Sequence, residues 1–488
     1  DYRYKTSFLK HALTVSDSRH DPAATGAGPG PSPPFCAAPV PPPSTTSPHL
    51  AGREKKFRAL RTNAAKPLAR IRRPTCHRSM THSRDPRRAV PWWTRPGLAY
   101  EQRDLCLAGR SLAKLARAHG TPLYVYDGAR LLANLGRLRA ALDARELRSR
   151  VFYAMKSNRH PPLLRALRRT GRCGADTCSP AEVARARACG FAADNISFTG
   201  TSLSDADLAA LLRHDGLILN LDSLHDIARV AALAPGRRVG LRINPGLGLG
   251  YRRNRLLRYA GGRGTKFGIH REQFAAALRL ARRGRLVIDG LHFHTGCGYL
   301  TPQLPVLDEI FAACQPFVAR VPGLRYVNLG GGLGIPLVAA DRPLDLAAWS
   351  AVVARHFGGR GVEVWCEPGD YLAKDAGVLL LEVNTVERKG RTLFAGVNGG
   401  FQLHLEPAFY GLPLVPVPVR AAAPGARLQP TTIAGHINEA LDLLHVDAPL
   451  PPLANGDLLA FLNAGGYGAA MASDHCMRGD FAEIFLPA

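Results

Sequence analysis

From Val151 onward, short apolar runs alternate with stretches of helical period. The apolar runs predict strands at Val151–Met155, Ile196–Thr199, Leu217–Leu221, Val239–Ile243, Val287–His294, Tyr326–Leu329 and Val362–Glu367. Amphipathic stretches between them predict helices, among them Pro162–Thr170, Pro180–Cys189, Ser204–His214 and Arg271–Arg283. Ahead of this region, Ser111–His119 and Ala129–Ala144 read as helices and Pro122–Asp127 as a strand. Repeated βα units over roughly 250 residues, with polar or Gly-rich residues after each strand, predict an α/β fold. Its form is a (β/α)8 barrel whose chemistry sits at the strands' C-terminal ends. A doubly wound sheet competes with it, but no Gly-x-Gly-x-x-Gly opens a helix near the start.

Past Gly377 the pattern changes to short strands punctuated by Pro and Gly: Leu379–Val386, Thr392–Val397, Val415–Val419, Thr431–Ile433, Leu458–Leu462 and Phe481–Leu486. That is the pattern of a mainly-β domain. The expected division is a Pro/Arg-rich extension over 1–95, the barrel with a short lead-in over 96–376, and the β domain over 377–488. The extension shows no sustained helix or strand period, so disorder is expected there. An organelle transit peptide and a non-native upstream extension of the reading frame are both open for it.

Composition changes this picture little. The formal charge is +26, but residues 1–100 hold 18 Lys/Arg against 5 Asp/Glu, half of the excess in a fifth of the chain. No stripe of base-stacking aromatics accompanies the charge, so no nucleic-acid partner is expected. No run of about 18 apolar residues predicts a membrane span. Ten cysteines occur without a CxxC pair or Cys/His ligand spacing. Free thiols and a cytoplasmic location are expected, and no metal.

Five motifs carry candidate chemistry. In Val151-Phe-Tyr-Ala-Met-Lys-Ser-Asn158 a buried strand delivers Lys156 at its end, where apolar surroundings would disfavour the protonated amine. A lysine snorkelling from a strand end is the plainer explanation. His292-Phe-His-Thr-Gly-Cys-Gly298 sends His292 and His294 to one side. No third metal ligand is suggested nearby, and a ring covering a flat cofactor fits better than a metal pair; a packed histidine is the alternative. Asn328-Leu-Gly-Gly-Gly-Leu-Gly334 follows an apolar strand, and consecutive glycines let amides converge on an anion, though Gly-rich turns are common. Trp365-Cys-Glu-Pro-Gly-Asp370 pins a carboxylate that could hold a protonated ring nitrogen, or forms an ordinary turn. Asn463-Ala-Gly-Gly-Tyr-Gly468 offers Tyr467 to a phosphate, or packs it beside a tight turn.

In this order the motifs are far more specific than any one of them. The chain resembles the fold-type III (alanine-racemase-like) pyridoxal-phosphate decarboxylases, the ornithine/diaminopimelate/arginine group. Within that group it is most similar to diaminopimelate decarboxylases and their siderophore-pathway or D-amino-acid variants. The resemblance runs from about Pro96 to Pro487 and includes Tyr153-Ala-Met-Lys-Ser-Asn158, Gly174-Ala-Asp-Thr-Cys-Ser179 with Glu182, and Asp222-Ser223. It continues through Arg242-Ile-Asn-Pro245, Lys266-Phe-Gly-Ile269, His294-Thr-Gly296, Gly330-Gly-Gly332, Glu367-Pro-Gly369 and Gly456-Asp457.

The resemblance implies pyridoxal 5'-phosphate and an internal aldimine at Lys156, supported by Asp176. It implies His294 stacked on the pyridine, Gly330, Gly331 and Gly332 on the phosphate, Glu367 on the ring nitrogen and Tyr467 closing on the phosphate. Lys156, His294 and Glu367 would be the catalytic set. It also implies a small amino-acid substrate and a homodimer with active sites at the interface.

Two departures stand out. Relatives carry Glu-Pro-Gly-Arg where this chain has Asp370. They also carry a Cys-Glu-Ser motif where this chain reads Gly435-His-Ile-Asn-Glu-Ala-Leu-Asp442, so Asn438 stands for the cysteine, with Glu439 and Asp442 left as candidate substrate ligands. The expected activity is diaminopimelate-decarboxylase-like, with a siderophore intermediate or D-ornithine/D-lysine as the alternative substrate. An amino-acid racemase and a catalytically silent regulator are further readings. Glu367 argues against the first, and the presence of Lys156 and the glycine cradle against the second. The segment Tyr251–Arg263 would put five arginines near the mouth of the site, favouring an acidic substrate, or form a solvated loop.

Overall fold

The computed structural model describes residues 91–251 and 265–488. The disorder expected over 1–95 and the arginine segment at the mouth lie outside the described residues, apart from 91–95 and Tyr251. Residues 91–95 are structured: Trp93 is buried, and Arg95 bonds backbone to backbone with Leu98.

Eight parallel strands close into the barrel: Ser149–Ala154, Gly174–Thr177, Ile196–Thr199, Ile218–Leu221, Arg238–Asn244, Val287–His292, Tyr326–Asn328 and Glu363–Cys366. Each pairs with the next, and the eighth returns to the first with Cys366 opposite Val151. Leu, Val, Ile and Phe on the outer strand faces pack against the surrounding helices in one large core. The second strand, Gly174-Ala-Asp-Thr177, is absent from the strands expected above. Gly and Asp have poor strand propensity, and pairing on both sides makes it a strand nonetheless.

Inside the barrel the residues form two layers. At the N-terminal end, Phe152, Tyr326 and Trp365 form an aromatic plug, with the Tyr326 and Trp365 rings stacked at 3.6 Å. Gly240 and Gly290 make room for it, since a Cβ on either would run into Tyr326. One strand step above lie Ser197, Asn328, His292 and Glu367, all buried.

A second sheet runs in the order Pro416–Pro418, Leu458–Phe461, Gly377–Lys389, Thr392–Val397, Gln429–Ala434 and Leu443–Leu450. The strand at Leu123–Asp127 does not enter the barrel. It pairs antiparallel with Gly377–Leu380 and parallel with Ala482–Leu486, so the lead-in belongs to this sheet. The lead-in hairpin strands Leu98–Glu101 and Asp104–Leu107 share an apolar cluster with it.

No helix among the described residues is long and apolar enough to cross a membrane, and their eight cysteines are free.

Candidate active site

A cavity of about 490 Å³ opens at the C-terminal ends of the barrel strands, lined by Lys156, Asp176, Cys178, Arg242, His292, His294, Cys297 and Glu367 among others. That volume suits a small cofactor with its substrate. Lys156 follows the first strand and is half-exposed to the cavity, its Nζ 3.5 Å from Asp176 Oδ2. Its surroundings are not apolar as expected. Burial lowers its proton affinity, but Asp176, Cys178 and Glu367 outweigh that and raise the pKa above the ordinary lysine value. The resting amine is therefore an ammonium. Asp176 is shifted well up, by burial and by the Glu367 charge.

Glu367 is held by three other strands. Ser197 Oγ (3.0 Å) and Asn328 Nδ2 (2.6 Å) donate to Oε1, and His292 Nε2 donates to Oε2 (2.9 Å). Burial favours the neutral acid, yet His292, Lys156 and Asn328 prevail and bring the pKa to about 2. It is an ionised carboxylate. Tyr326 extends the network downward: its hydroxyl donates to Asn220 Oδ1 (3.1 Å), and Asn220 Nδ2 donates to Ser197 Oγ (3.1 Å).

His294 accepts the Gly331 N–H at Nδ1 (3.3 Å). Burial, then the Lys156 and Arg242 charges, push its pKa well down, so the ring is a neutral imidazole with its proton on Nε2. The N–H of Cys178, beside Lys156, donates to Glu182 Oε2 (2.8 Å); burial and Glu182 push its thiol up to about 12.

The glycine turn packs against this wall. A Cβ at Gly330 would stand 2.5 Å from the Phe293 carbonyl, and one at Gly331 would strike the Glu367 carbonyl. The Gly330 N–H donates to Asn328 Oδ1 (3.0 Å) and the Gly331 N–H to His294. The Gly332 and Gly369 amides have no protein acceptor among the described residues. The Tyr467 hydroxyl lies 3.2 Å from where a Cβ on Gly369 would stand. Tyr467 has φ +57°, a left-handed conformation uncommon for an aromatic residue. Its N–H donates to Ser157 O (2.7 Å), next to Lys156.

Asn438, Glu439 and Asp442 do not line the cavity. Asp442 is buried, with both oxygens taken by the Phe401 and Ile437 amides (2.7 Å each), and it clamps its own loop. Glu439 is exposed and paired with His475 (2.8 Å). No group of three or more His, Cys, Asp or Glu among the described residues is arranged to hold a metal.

The family model for the pyridoxal-binding domain of pyridoxal-dependent decarboxylases matches residues 130–374. A diaminopimelate decarboxylase of Methanothermobacter thermautotrophicus is 34% identical over 395 residues, covering 78% of this chain and 90% of that protein. One of Deinococcus radiodurans is 33% identical over 78% of this chain and 94% of its own length. The chain belongs to the pyridoxal-dependent decarboxylases. The solved diaminopimelate decarboxylase of Helicobacter pylori, complexed with L-lysine, superposes with a TM-score of 0.69 at 25% identity, covering 77% of this chain and 93% of that one. This protein is therefore a pyridoxal-phosphate-dependent carboxy-lyase acting on an amino acid.

The residues present fit that cofactor. An amine, a neutral imidazole and a buried carboxylate converge on one cavity. Outside its lining, the Gly332 and Gly369 amides, without an acceptor among the described residues, and the Tyr467 hydroxyl beside Gly369 could take a phosphate. Sequence reasoning passed over the groups that hold Glu367. Asn328 and His292 stood within the candidate motifs, and Ser197 occupies an inward position on a recognised strand, so strand alternation was the available signal for it.

Proposed function

We propose that this protein decarboxylates an amino acid by means of a pyridoxal cofactor that Lys156 would hold. The observation that carries the reading is the convergence of Lys156, Asp176, His294 and Glu367 on one cavity at the strand ends. Lys156 Nζ is the group that holds the cofactor's aldehyde carbon. To react it would give up a proton, and Asp176 Oδ2, 3.5 Å away, is within reach to take it. Glu367, ionised and fixed by three donors, would pair with the ring nitrogen, and neutral His294 would cover the ring face. Of the glycine turn, the Gly330 and Gly331 amides are taken by Asn328 and His294, so Gly332, with Gly369 and the Tyr467 hydroxyl, would receive the phosphate. Gly332 and Gly369 offer amides that no acceptor among the described residues uses. Bound pyridoxal phosphate supplies electron withdrawal from the carbon that loses CO2.

The diaminopimelate decarboxylases among the relatives make meso-diaminopimelate the first substrate to test. D-ornithine, D-lysine and carboxylated siderophore precursors come next, because Asp370 and Asn438 depart from the pattern of the group. The working unit is a homodimer, in which exposed Asn438 and Glu439 are offered to a second copy's site. The test is CO2 release from meso-diaminopimelate with added cofactor, with Lys156→Ala as the blank. Lysine formed along with CO2 supports the diaminopimelate reading. No release, with a Lys156-dependent visible absorption band still present, keeps the reaction class and rejects that substrate. No such band rejects the role given to Lys156.

A further inference from the structure

Lys374 belongs to no motif singled out in the sequence, yet its side chain is only 2% exposed. It lies just past the short helix Asp370–Ala373 that follows the eighth barrel strand. Its Nζ is 3.2 Å from Asp370 Oδ1 and 2.5 Å from Glu406 Oε1, and it stands 5.6 Å from the centre of the Tyr467 ring. Glu406 belongs to the helix Glu406–Tyr410, and its Oε2 lies 3.4 Å from His404 Nε2. The backbone joins the same place: the Gly465 N–H donates to Lys374 O (3.0 Å), and Asn158 Nδ2 donates to Gly465 O (2.9 Å). The loop that holds Tyr467 in its left-handed conformation is thus tied to Lys374 on one side and to Ser157 and Asn158 on the other.

A fully buried ammonium is expensive to desolvate unless it is paired, and here it is paired twice. Asp370 directly follows Gly369, whose amide is unbonded among the described residues and whose α-carbon faces the Tyr467 hydroxyl. Without a cation between them, Asp370 and Glu406 would set two buried carboxylates beside the position where a phosphate is to bind. Like charges at that range in a low dielectric exclude an anion.

We propose that Lys374 is a positioning residue for the cofactor's phosphate: it offsets part of the charge of Asp370 and Glu406 and supports the Tyr467 ring, so that an anion can settle against Gly332, Gly369 and the Tyr467 hydroxyl. The inference rests on the reading of the site given above. It assigns to a lysine one turn further on the positive charge that Asp370 fails to supply.

The test compares two ligands that differ only in the phosphate, pyridoxal 5'-phosphate and pyridoxal, each titrated by absorbance into wild type, Lys374→Met and Lys374→Arg. Lys374→Met is expected to weaken pyridoxal phosphate by roughly tenfold or more, the order of one charge-assisted interaction. Pyridoxal should bind within about twofold of wild type, because it has no phosphate to place. Lys374→Arg should restore most of the difference. Equal weakening for both ligands, or no change for either, overturns the proposal. If Lys374→Met does not fold, Lys374→Gln, which keeps a hydrogen-bond donor for the two carboxylates but carries no charge, takes its place under the same criteria. A wild type that binds neither ligand through Lys156 overturns the reading of the site instead, and the Lys156→Ala control separates that outcome.

Discussion

The two interior layers of the barrel are built on the same strands and behave as opposites. Trp365 lies in the lower layer and Glu367, two residues later, in the upper one. The lower layer is aromatic and stacked, and its only hydroxyl is satisfied by Asn220. The upper layer is ionised and open to the cavity, and its donors all point at one carboxylate. The lower layer lowers the free energy of the fold by burial. The upper layer collects buried charge at a cost, which is retained because the site needs it. The Tyr326–Asn220–Ser197 chain is where the two meet.

Substitutions in the two layers should therefore separate stability from activity. The largest effect is expected at the cavity above the upper layer: Lys156→Ala should lower decarboxylation by about a thousandfold or more. Because that side chain is half-exposed and its ion pair is screened, the urea midpoint should move by no more than about 1 kcal/mol equivalent. A large loss of stability there would break the comparison.

Trp365→Ala should do the reverse, costing about 3–5 kcal/mol in urea unfolding through the cavity it leaves. The kcat of the molecules that remain folded should stay within a few-fold, and a hundredfold fall would show that the layers are not separable. Gly290→Ala, which drives a methyl into the Tyr326 ring, should cost about 1–3 kcal/mol by overpacking.

Ser197→Ala sharpens the boundary, since it removes a donor to Glu367 and an acceptor for Asn220. It should cost about 1–2 kcal/mol and, at the same time, reduce kcat several-fold.

The smallest effect is in pH dependence, and it has opposite signs for two neighbours. Glu367 has a folded pKa of about 2, below its ordinary 4.5. Its stabilising contribution is present above that ordinary value and is lost as pH falls toward about 2. Asp176 is shifted upward, so its contribution is full in acid and is lost as pH rises from the ordinary carboxylate range. Denaturation of Glu367→Gln and Asp176→Asn against wild type should give difference curves that slope in opposite directions with pH. Parallel slopes would contradict the assigned ionisation states.

Much of the barrel could be read from periodicity. Ile196–Thr199 and Arg271–Arg283 fall where the pattern puts them, because continuous apolar runs and a helical stripe are local signals. Gly174–Thr177 could not be read that way, since its strand character comes from two neighbours far apart in sequence. The strand Leu123–Asp127 was legible, but its sheet was not. An all-buried strand carries no label for its partner, and long-range pairing assigned it to Gly377–Leu380.

The candidate site divides in the same way. By itself the sequence determined which groups stand at strand ends: an amine, a paired histidine motif, a glycine turn and a pinned carboxylate. A residue's type and its place in a strand are written locally. Only the tertiary structure decided their ionisation and their company. Lys156 is an ammonium because Asp176 and Glu367 reach it from other strands, and Glu367 is ionised because Ser197, His292 and Asn328 converge on it. Asp442 is spent on two backbone amides, and Lys374 is drawn in between Asp370 and Glu406. Electrostatic energies depend on distance through space and on the water excluded, and the order of residues along the chain specifies neither.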